Sequence, residues 1–354
     1  MDFAIIGCGR IADNHLDAAL QNGMRVSALC DISRDSIARV SEKFGLSGAV
    51  HYTDYRQMLA ENPPDLVTVA TGSGMHAQMT LDCLEAGCHV IVEKPMALSL
   101  ADADRMIALA EKKHLQLCVC QQNRFNKAVQ RIRRAVEDGS FGRLYHGTAH
   151  VRWHRDTAYY DSAAWRGTWE ADGGCLLNQC IHTIDLLRWM LGDEVDEVVG
   201  LTANLAHPNI ETEDVGLAMV RFRNGALGLI EGTVNVYPEN LEAALYLFGE
   251  TGTVKAAGEA VNRLDIWRFA DQDDAEEKAV RAQCSEEIDS VYGFGHVPLY
   301  ADMKDAIETG RAPLVDGHAG RRALELVLAI YLSSRENRPV KLPLHDIGTL
   351  DFKK

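Results

Sequence analysis

The sequence predicts an α/β protein of two domains, the first with a doubly wound parallel sheet. The second is expected to be an α+β domain with a large, open and mostly antiparallel sheet. In the first third of the chain, short apolar runs alternate with helix-like segments, which is typical of parallel strands covered on both faces. After about residue 122 the pattern changes to alternating strands with turn signals, and 354 residues suffice for two domains. We therefore expect domains at residues 1–122 and 123–354.

The first domain is expected to contain five parallel strands separated by helices. Each strand is a short, continuous apolar run, as expected for a sheet buried between two layers of helices. The predicted strands cover residues 3–6, 26–29, 66–70, 89–92 and 117–120. The predicted helices, besides one that opens after the first strand, cover residues 35–44, 55–60, 76–86 and 101–113. Ser99 and Asp102 before the last helix form a capping pattern.

The second domain is expected to combine several strands with fewer helices. Predicted helices cover residues 128–137, 174–191, 299–309 and 320–336. Predicted strands cover residues 144–153, 195–205, 215–222, 226–234, 243–248, 253–257 and 263–269, with a hairpin signal at Asn224-Gly225. The strands at 215–222 and 226–234 are apolar on much of both faces. We therefore expect another subunit to cover one face of the sheet in a homodimer or homotetramer.

Composition excludes several classes of partner. Lys and Arg total 36 and Asp and Glu total 51, so the formal net charge is −15. Such a surface repels phosphate backbones and anionic lipids, so we expect neither nucleic acid nor a membrane as the main partner. The nine cysteines include no CxxC pair, and no apolar run reaches membrane-spanning length. These features predict a cytoplasmic protein with reduced thiols.

The segment GCGRIA at residues 7–12 follows the first strand and opens a helix. Gly7 would permit the tight turn, and Gly9 would let the backbone approach a pyrophosphate resting on the helix N-terminus. Asp31, directly after the second strand, can accept hydrogen bonds from both ribose hydroxyls. Its carboxylate would repel a 2′-phosphate, so we expect NAD as the cofactor, although Arg34 nearby leaves NADP open.

Two further segments carry side chains suited to acid–base chemistry. Glu93-Lys94-Pro95 ends a predicted strand, at the edge where open α/β sheets bind ligands. In GGCLLNQCIHTID at residues 173–185, Asn178 and His182 are four residues apart and would share one helix face. His182 is therefore a candidate general base, with Lys94 as a donor to the same substrate oxygen.

These three motifs, in this order and spacing, resemble the glucose–fructose oxidoreductase/inositol dehydrogenase family over essentially the whole chain. The resemblance implies an N-terminal Rossmann domain, a C-terminal domain with an open antiparallel sheet, and a cleft between them. It also implies oxidation or reduction of a carbinol carbon on a sugar or cyclitol, with Lys94 and His182 as the catalytic residues. Where the family usually has aspartate, this chain has Asn178, which cannot take a proton and would only position a hydroxyl.

Asn178, WRGTW at residues 165–169 and SVYGFGH at residues 290–296 resemble one branch of this family. That branch contains the UDP-N-acetylglucosaminuronate 3-dehydrogenases of bacterial surface-polysaccharide pathways. The resemblance implies oxidation at C3 of a UDP-linked N-acetylated hexose or hexuronic acid. Three alternatives remain: a dehydrogenase of a free cyclitol or simple glucoside, a glycoside hydrolase that uses NAD transiently, and a cofactor-bound sensor with a vestigial site.

Arginines and aromatic residues near these motifs add candidate ligand contacts, because guanidinium groups suit bidentate recognition of phosphate or carboxylate. Arg155, Tyr160 and Trp169 belong to this group of arginines and aromatic residues. The candidate substrate-binding residues are Asn178, Arg124, Arg152, Tyr159, Gln179, Tyr292 and His296. The candidate cofactor-binding residues are Gly7, Gly9, Arg10, Ile11, Asp31, Thr71, Ser73, His76, Glu93, Lys94, Gln122, Trp165 and Arg166. No metal site is expected at His146, His150 and His154, since residues four apart on a strand are separated by about 13 Å.

Overall fold

Two β-sheets organise the chain, one in each of two units. The structure is a computed structural model that describes residues 1–192, 194–288 and 290–353. Asp193, Asp289 and Lys354, the last residue of the predicted second domain, lie outside this description. Unit 1 comprises Met1–Gln121 and His296–Arg322, and unit 2 comprises Gln122–Gly295 and Ala323–Lys354. The stretch 296–322, expected in the second domain, therefore groups with the first.

The sheet of unit 1 is parallel and has six strands in the order β3-β2-β1-β4-β5-β6. Its strands are β1 Asp2–Ile6, β2 Arg25–Cys30, β3 Val50–Tyr52, β4 Leu66–Val69, β5 His89–Val92 and β6 Leu117–Val119. The strand β3 was not predicted, because it is short and two of its three residues are exposed. Since β1 pairs with both β2 and β4, the strand order reverses at β1, where such folds bind ligands.

Helices cover this parallel sheet. They are α1 Ala12–Gln21, α2 Arg34–Phe44, α3 Tyr55–Glu61, α4 His76–Glu85 and α5 Leu100–Lys113, followed late in the chain by α11 His296–Thr309. The predicted cap of α5 is present, because the Ser99 side chain accepts a hydrogen bond from the Asp102 amide. The helix α11 packs beside α1, and its Tyr300 ring lies edge-on to Phe3 of β1 at 5.8 Å.

The sheet of unit 2 is mixed and has eight strands in the order β13-β12-β11-β7-β10-β9-β8-β14. The pair β7–β10 is parallel and the other pairs are antiparallel, as predicted for a mostly antiparallel sheet. The strands are β7 Leu144–Arg152, β8 Val195–Ala203, β9 Val215–Phe222, β10 Leu227–Thr233, β11 Glu242–Gly249, β12 Gly252–Ala257, β13 Arg263–Phe269 and β14 Val340–Lys341. The helices of this part are α6 Lys127–Glu137, α7 Thr157–Asp161, α8 Cys175–Asn178, α9 Ile181–Leu191 and α10 Asp274–Cys284. The helix α12, Gly317–Glu336, contains the division between the units.

Glycines in the second sheet bring α8 close to its strands. A Cβ added to Gly216 of β9 would lie 2.5 Å from Leu176, and one added to Gly232 of β10 would lie 2.6 Å from the same side chain. Both distances are too short for a real Cβ atom, so a side chain at either position would have to displace the Leu176 side chain. The two glycines therefore leave room for Leu176 of α8 to pack directly on the sheet.

The predicted single helix over residues 174–191 is wrong in one respect, because it is interrupted. The helix α8 ends at Asn178 and α9 begins at Ile181. At the junction the Cys180 amide bonds to the carbonyl of Cys175, five residues back, instead of four. Such local widening keeps the backbone near helical geometry but changes the angular spacing of side chains. Asn178 and His182 therefore lie on two helical segments rather than on one continuous face.

None of the helices in the described parts of the chain is long and apolar enough to cross a membrane.

Candidate active site

The glycine loop after β1 has the conformation that the sequence predicts. Gly7 has φ +103°, and a Cβ added there would lie 2.4 Å from the carbonyl oxygen of Ala70. A Cβ added to Gly9 would meet nothing within 4 Å, so the loop leaves open space at this position. The N-cap of α1 is Ile11, whose side chain makes no capping bond. The first turn of α1 is therefore suited to an anion such as a pyrophosphate.

Asp31 and Arg39 both form hydrogen bonds with the backbone of this loop. The Asp31 carboxylate accepts hydrogen bonds from the amides of Cys8 and Ser33 at 2.7 and 2.8 Å. Arg39 donates to the carbonyl oxygens of Cys8 and Gly9 at 3.1 and 3.0 Å. Arg10 beside the loop is exposed. Arg39 is a residue that the sequence analysis missed, because nothing in the local pattern of α2 distinguishes it from other surface arginines.

The residues after β4 connect two backbone segments of unit 1. His76 is buried, and its ring nitrogens lie 2.8 Å from the carbonyl oxygen of Pro95 and 3.1 Å from that of Thr71. Burial lowers the pKa of His76 below its usual value. Ser73 is also buried, whereas Thr71 is partly exposed. His76 therefore links the Thr71 loop to the segment that follows Lys94.

Glu93 and Lys94 directly follow β5, and Glu93 belongs to a chain of buried hydrogen bonds. The Glu93 carboxylate lies 3.0 Å from Nε2 of His15 and also accepts a hydrogen bond from the backbone amide of Lys94. Nδ1 of His15 lies 2.9 Å from the Tyr300 hydroxyl, which in turn lies 2.6 Å from Oγ1 of Thr68. Burial alone would raise the pKa of Glu93, but the hydrogen bond and charge of His15, together with Lys94, hold it well below its usual value. A carboxylate is therefore maintained beside the candidate catalytic lysine.

Cys120 and His296 complete this buried cluster. The potential ligand atoms of His15, Glu93, Cys120 and His296 all lie within 4.8 Å of one another, and these residue types bind metal ions. Since His15 and Glu93 bond directly to each other, we interpret the cluster as hydrogen-bonded support for the Lys94 segment. The sequence analysis missed this cluster because its members lie far apart in the chain. It placed His296 among the substrate contacts, whereas the structure buries it in unit 1 against the His15 ring.

In unit 2, a buried glutamate holds the start of α8. The Glu213 carboxyl accepts hydrogen bonds from the Leu176 amide at 2.7 Å and from the Tyr331 hydroxyl at 2.8 Å. A Cβ added to Gly174, which has φ +99°, would lie 2.0 Å from the second Glu213 oxygen. Burial raises the pKa of Glu213 to about 8. Glu213 was not predicted as a site residue, because the glycine turn that it contacts lies far away in sequence.

Asn178 and Gln179 at the helix junction belong to a polar network. Nε2 of Gln179 donates to Oδ1 of Asn178 at 2.5 Å and to the Tyr159 hydroxyl at 2.9 Å. Oε1 of Gln179 accepts from Nε of Arg155 at 3.1 Å, and Arg166 donates to the same Tyr159 hydroxyl. The amide of Asn178 is thus oriented by Gln179. Three predicted substrate-binding residues, Asn178, Gln179 and Tyr159, are brought together here.

His182 lies partly exposed in the first turn of α9. In the next turn, Asp185 forms a buried ion pair with Arg124. Arg124 donates to both carboxylate oxygens of Asp185 at 2.6 and 2.7 Å. Burial opposes ionisation of Asp185, but the charge of Arg124 holds its pKa below the usual value. Since Arg124 is itself 2% exposed, the structure favours a role in anchoring α9 over the predicted contact with substrate.

The remaining predicted residues differ from one another in their surroundings. Arg152 forms ion pairs with Glu231 and Glu242 on the sheet, so its guanidinium is neutralised within the chain. Gln122 is buried in a short turn, and Tyr292 is partly exposed in the segment before α11. The other predicted members of the cofactor site, Trp165 and Arg166, are stacked on one another with the Arg166 guanidinium carbon 4.6 Å from the ring centroid.

Family models match both halves of the chain. The model for the oxidoreductase family with an NAD-binding Rossmann fold matches residues 1–121, and the model for the GFO/IDH/MocA C-terminal domain matches residues 129–255. The chain belongs to the GFO/IDH/MocA oxidoreductase family. This confirms the predicted fold class, the family resemblance and the assignment of the chain as an NAD-dependent enzyme of a sugar dehydrogenase family.

Individual relatives differ in the substrates that they act on. The chain is 38% identical to the WlbA dehydrogenase from Bordetella pertussis, solved with NADH and UDP-GlcNAcA, with a TM-score of 0.89 and 98% of each chain covered. It is 29% identical to the myo-inositol 2-dehydrogenase of Thermotoga maritima over 97% of this chain and 98% of that protein. It is 32% identical to the D-glucoside 3-dehydrogenase of Escherichia coli over 53% of each.

The residues of the glycine loop fit the NAD cofactor that the family implies. A Cβ atom at Gly7 would clash with the Ala70 backbone, and one at Gly9 would occupy open space that a cofactor could use. The uncapped start of α1 suits the pyrophosphate. Asp31 would supply the carboxylate for the ribose hydroxyls, and it is held in place by the amides of Cys8 and Ser33.

Replacing Glu213 tests its predicted role in holding α8. Glu213→Ala leaves the buried Leu176 amide without its acceptor, so we expect the free energy of unfolding to fall by about 1–3 kcal/mol. Urea unfolding followed by tryptophan fluorescence reports on unit 2, because all five tryptophans lie in it. The exposed Glu239→Gln is the matched control and should leave the unfolding midpoint unchanged.

The raised pKa of Glu213 also predicts how stability depends on pH. Folding favours the protonated carboxyl between the ordinary value of 4.5 and about 8, so this group makes stability fall as pH rises through that range and level off above it. Glu213→Gln should remove this part of the pH dependence. An identical pH profile for Glu213→Gln and the unmodified protein would contradict the assignment.

Proposed function

We propose that the chain oxidises a secondary alcohol of a sugar, at C3 of a UDP-linked N-acetylated hexose or hexuronic acid, in cytoplasmic surface-polysaccharide biosynthesis. The observation that carries this proposal is the end-to-end similarity to the WlbA dehydrogenase, which binds NADH and UDP-GlcNAcA. The local structure supports it, because Asn178 and Gln179 form a polar network at the end of α8, and His182 follows in the first turn of α9.

In the proposed mechanism the alcohol loses a proton and a hydride to give a ketone. Bound NAD supplies the hydride acceptor at C4 of its nicotinamide. His182 takes the hydroxyl proton as general base, and the Lys94 ammonium stabilises the negative charge that develops on the same oxygen. Lys94 is adjacent to the buried Glu93, and its charge contributes to holding the pKa of that carboxyl below its usual value. Asn178 takes no proton, and its amide, oriented by Gln179, positions a substrate hydroxyl.

A second candidate function is oxidation of a free cyclitol or simple glucoside. It is favoured by the match to myo-inositol 2-dehydrogenase, which spans 97% of this chain. Incubation with NAD and a panel of UDP-sugars, inositols and glucosides distinguishes the two, with NADH absorbance as the measurement. NADH formation with myo-inositol or a glucoside, and none with a UDP-sugar, would support the second candidate and contradict the first.

Replacing the two proposed catalytic residues tests the mechanism. Lys94→Met and His182→Asn should each reduce turnover at least about 10²-fold, because each removes a group that acts on the reacting oxygen. NAD affinity, measured by calorimetry, should stay close to that of the unmodified protein. The exposed controls Lys112→Met and His318→Asn should keep full activity. Near-normal turnover of both site variants on the true substrate would overturn the assignment.

We also propose that a second copy of the chain covers one face of the second sheet. Five large apolar side chains on this face are 44–63% exposed, namely Leu201, Leu217, Met219, Leu227 and Leu229. The strand register pairs Leu201 with Leu217 and Met219 with Leu229, so the side chains form one continuous patch on β8, β9 and β10. Such a patch is typical of subunit interfaces.

Light scattering tests this interface. The unmodified protein should have at least twice the 39.0 kDa mass of one chain. Met219→Glu places a charge in the centre of the patch and should shift the mass toward that of one chain. Leu350→Glu, at an exposed leucine outside this sheet, should not. A monomer mass for the unmodified protein would refute the interface.

A further inference from the structure

Five side chains of unit 2 form an alternating stack of aromatic rings and guanidinium groups, which we call the arginine ladder. Its order is Trp153, Arg155, Tyr159, Arg166 and Trp165. The guanidinium carbon of Arg155 lies 4.9 Å from the Trp153 ring centroid and 5.1 Å from that of Tyr159. That of Arg166 lies 4.2 Å from Tyr159 and 4.6 Å from Trp165. Each guanidinium is therefore stacked between two rings, which restricts its orientation.

The two ladder arginines differ from the other arginines near the site in their partners. Arg155 donates to the His154 carbonyl, Asn240 and Gln179. Arg166 donates to the hydroxyls of Ser162 and Tyr159. None of these partners carries a negative charge.

Across residues 1–192, 194–288 and 290–353, no carboxylate lies within ion-pair distance of Arg155 or Arg166. Their Nη2 groups also donate no hydrogen bond within these same ranges. Arg124 and Arg152, by contrast, are paired with carboxylates. Arg155 and Arg166 lie over the same Tyr159 ring, so two positive charges without a carboxylate partner in the described residues are close together and available to an anionic ligand.

The ladder is connected directly to the proposed substrate site. Gln179 accepts a hydrogen bond from Arg155 and donates to both Tyr159 and Asn178. Gln179 therefore connects the ladder to Asn178, the residue that we propose positions the substrate hydroxyl. Arg166 and Trp165, which the sequence analysis assigned to the cofactor, belong to this same network.

We infer that Arg155 and Arg166 form an oxyanion subsite that binds the carboxylate or the phosphate of the substrate and so determines its charge class. This inference rests on the proposed function. Arginine N–H groups form charge-assisted hydrogen bonds with carboxylate and phosphate oxygens, and the Nη2 groups of both arginines are the donors without an acceptor in the described residues. Contact with aromatic rings holds both guanidinium groups in place and so reduces the entropy lost on binding. The subsite would select anionic sugars over neutral cyclitols and simple glucosides.

Equilibrium binding tests the subsite independently of turnover. Calorimetry on the NADH-loaded protein would compare UDP-N-acetylglucosaminuronate, UDP-N-acetylglucosamine and UDP, for the unmodified protein and for Arg155→Met, Arg166→Met and Arg166→Lys. Both Met variants should weaken binding of the uronate at least about 10-fold, and Arg166→Lys, which keeps the charge but loses the fork, should have an intermediate effect. The exposed Arg268→Met is the matched control and should bind as the unmodified protein does.

The three ligands distinguish the two sources of negative charge. Weaker binding of the uronate alone identifies the carboxylate, and equal weakening of all three identifies the diphosphate. Affinities within about twofold of the unmodified protein for both Met variants would overturn the subsite, as would the absence of binding to the unmodified protein. Binding that depends on the arginines without NADH formation would instead contradict the proposed function and leave the subsite standing.

Discussion

The contact between the Glu213 carboxyl and the Gly174 turn positions the start of α8, which leads to the proposed substrate-binding residues Asn178 and Gln179. Because the carboxyl occupies the space of a Gly174 side chain and binds the Leu176 amide, the first turn of α8 has little freedom to move. Gly216 and Gly232 leave room for the Leu176 side chain of the same helix to pack on the sheet. Asn178 and Gln179 follow directly, so the polar network around them depends on this contact. A buried carboxyl with a raised pKa is an unusual support, and it makes the stability of unit 2 depend on pH between 4.5 and about 8.

The two units use buried charge in different ways. In unit 1, His15 and Lys94 stabilise the ionised form of Glu93 behind the proposed catalytic lysine. In unit 2, Arg124 and Asp185 neutralise each other and anchor α9, whereas the ladder arginines have no acidic partner in the described parts of the chain. The net charge of −15 is therefore not uniform, because the network that includes Asn178 contains two arginines without an acidic partner in the described residues. This contrast supports the proposal that the substrate is an anionic sugar.

The parts of the fold and site that the sequence predicted are those that depend on local pattern. The parallel strands, the glycine loop, Asp31 and the Ser99 cap each follow from residues close together in the chain. The interruption after Asn178 could not be predicted, because a single hydrogen bond to a carbonyl five residues back leaves no mark on residue type. The pair Arg124–Asp185 joins residues 61 positions apart, and Glu213 binds an amide 37 positions away. Arginines that look alike in sequence were therefore separated only by their partners in the fold: Arg124 and Arg152 are neutralised, and Arg155 and Arg166 are not.

Transfer of isotope from the substrate carbon to the cofactor tests the central claim most directly. UDP-N-acetylglucosaminuronate labelled with deuterium at C3 would be incubated with NAD and the purified protein, and the NADH formed would be examined by mass spectrometry and NMR. The account predicts one deuterium at C4 of the nicotinamide for each 3-keto sugar produced. Unlabelled NADH would contradict it. The same holds if the labelled UDP-sugar gives no NADH whereas myo-inositol does.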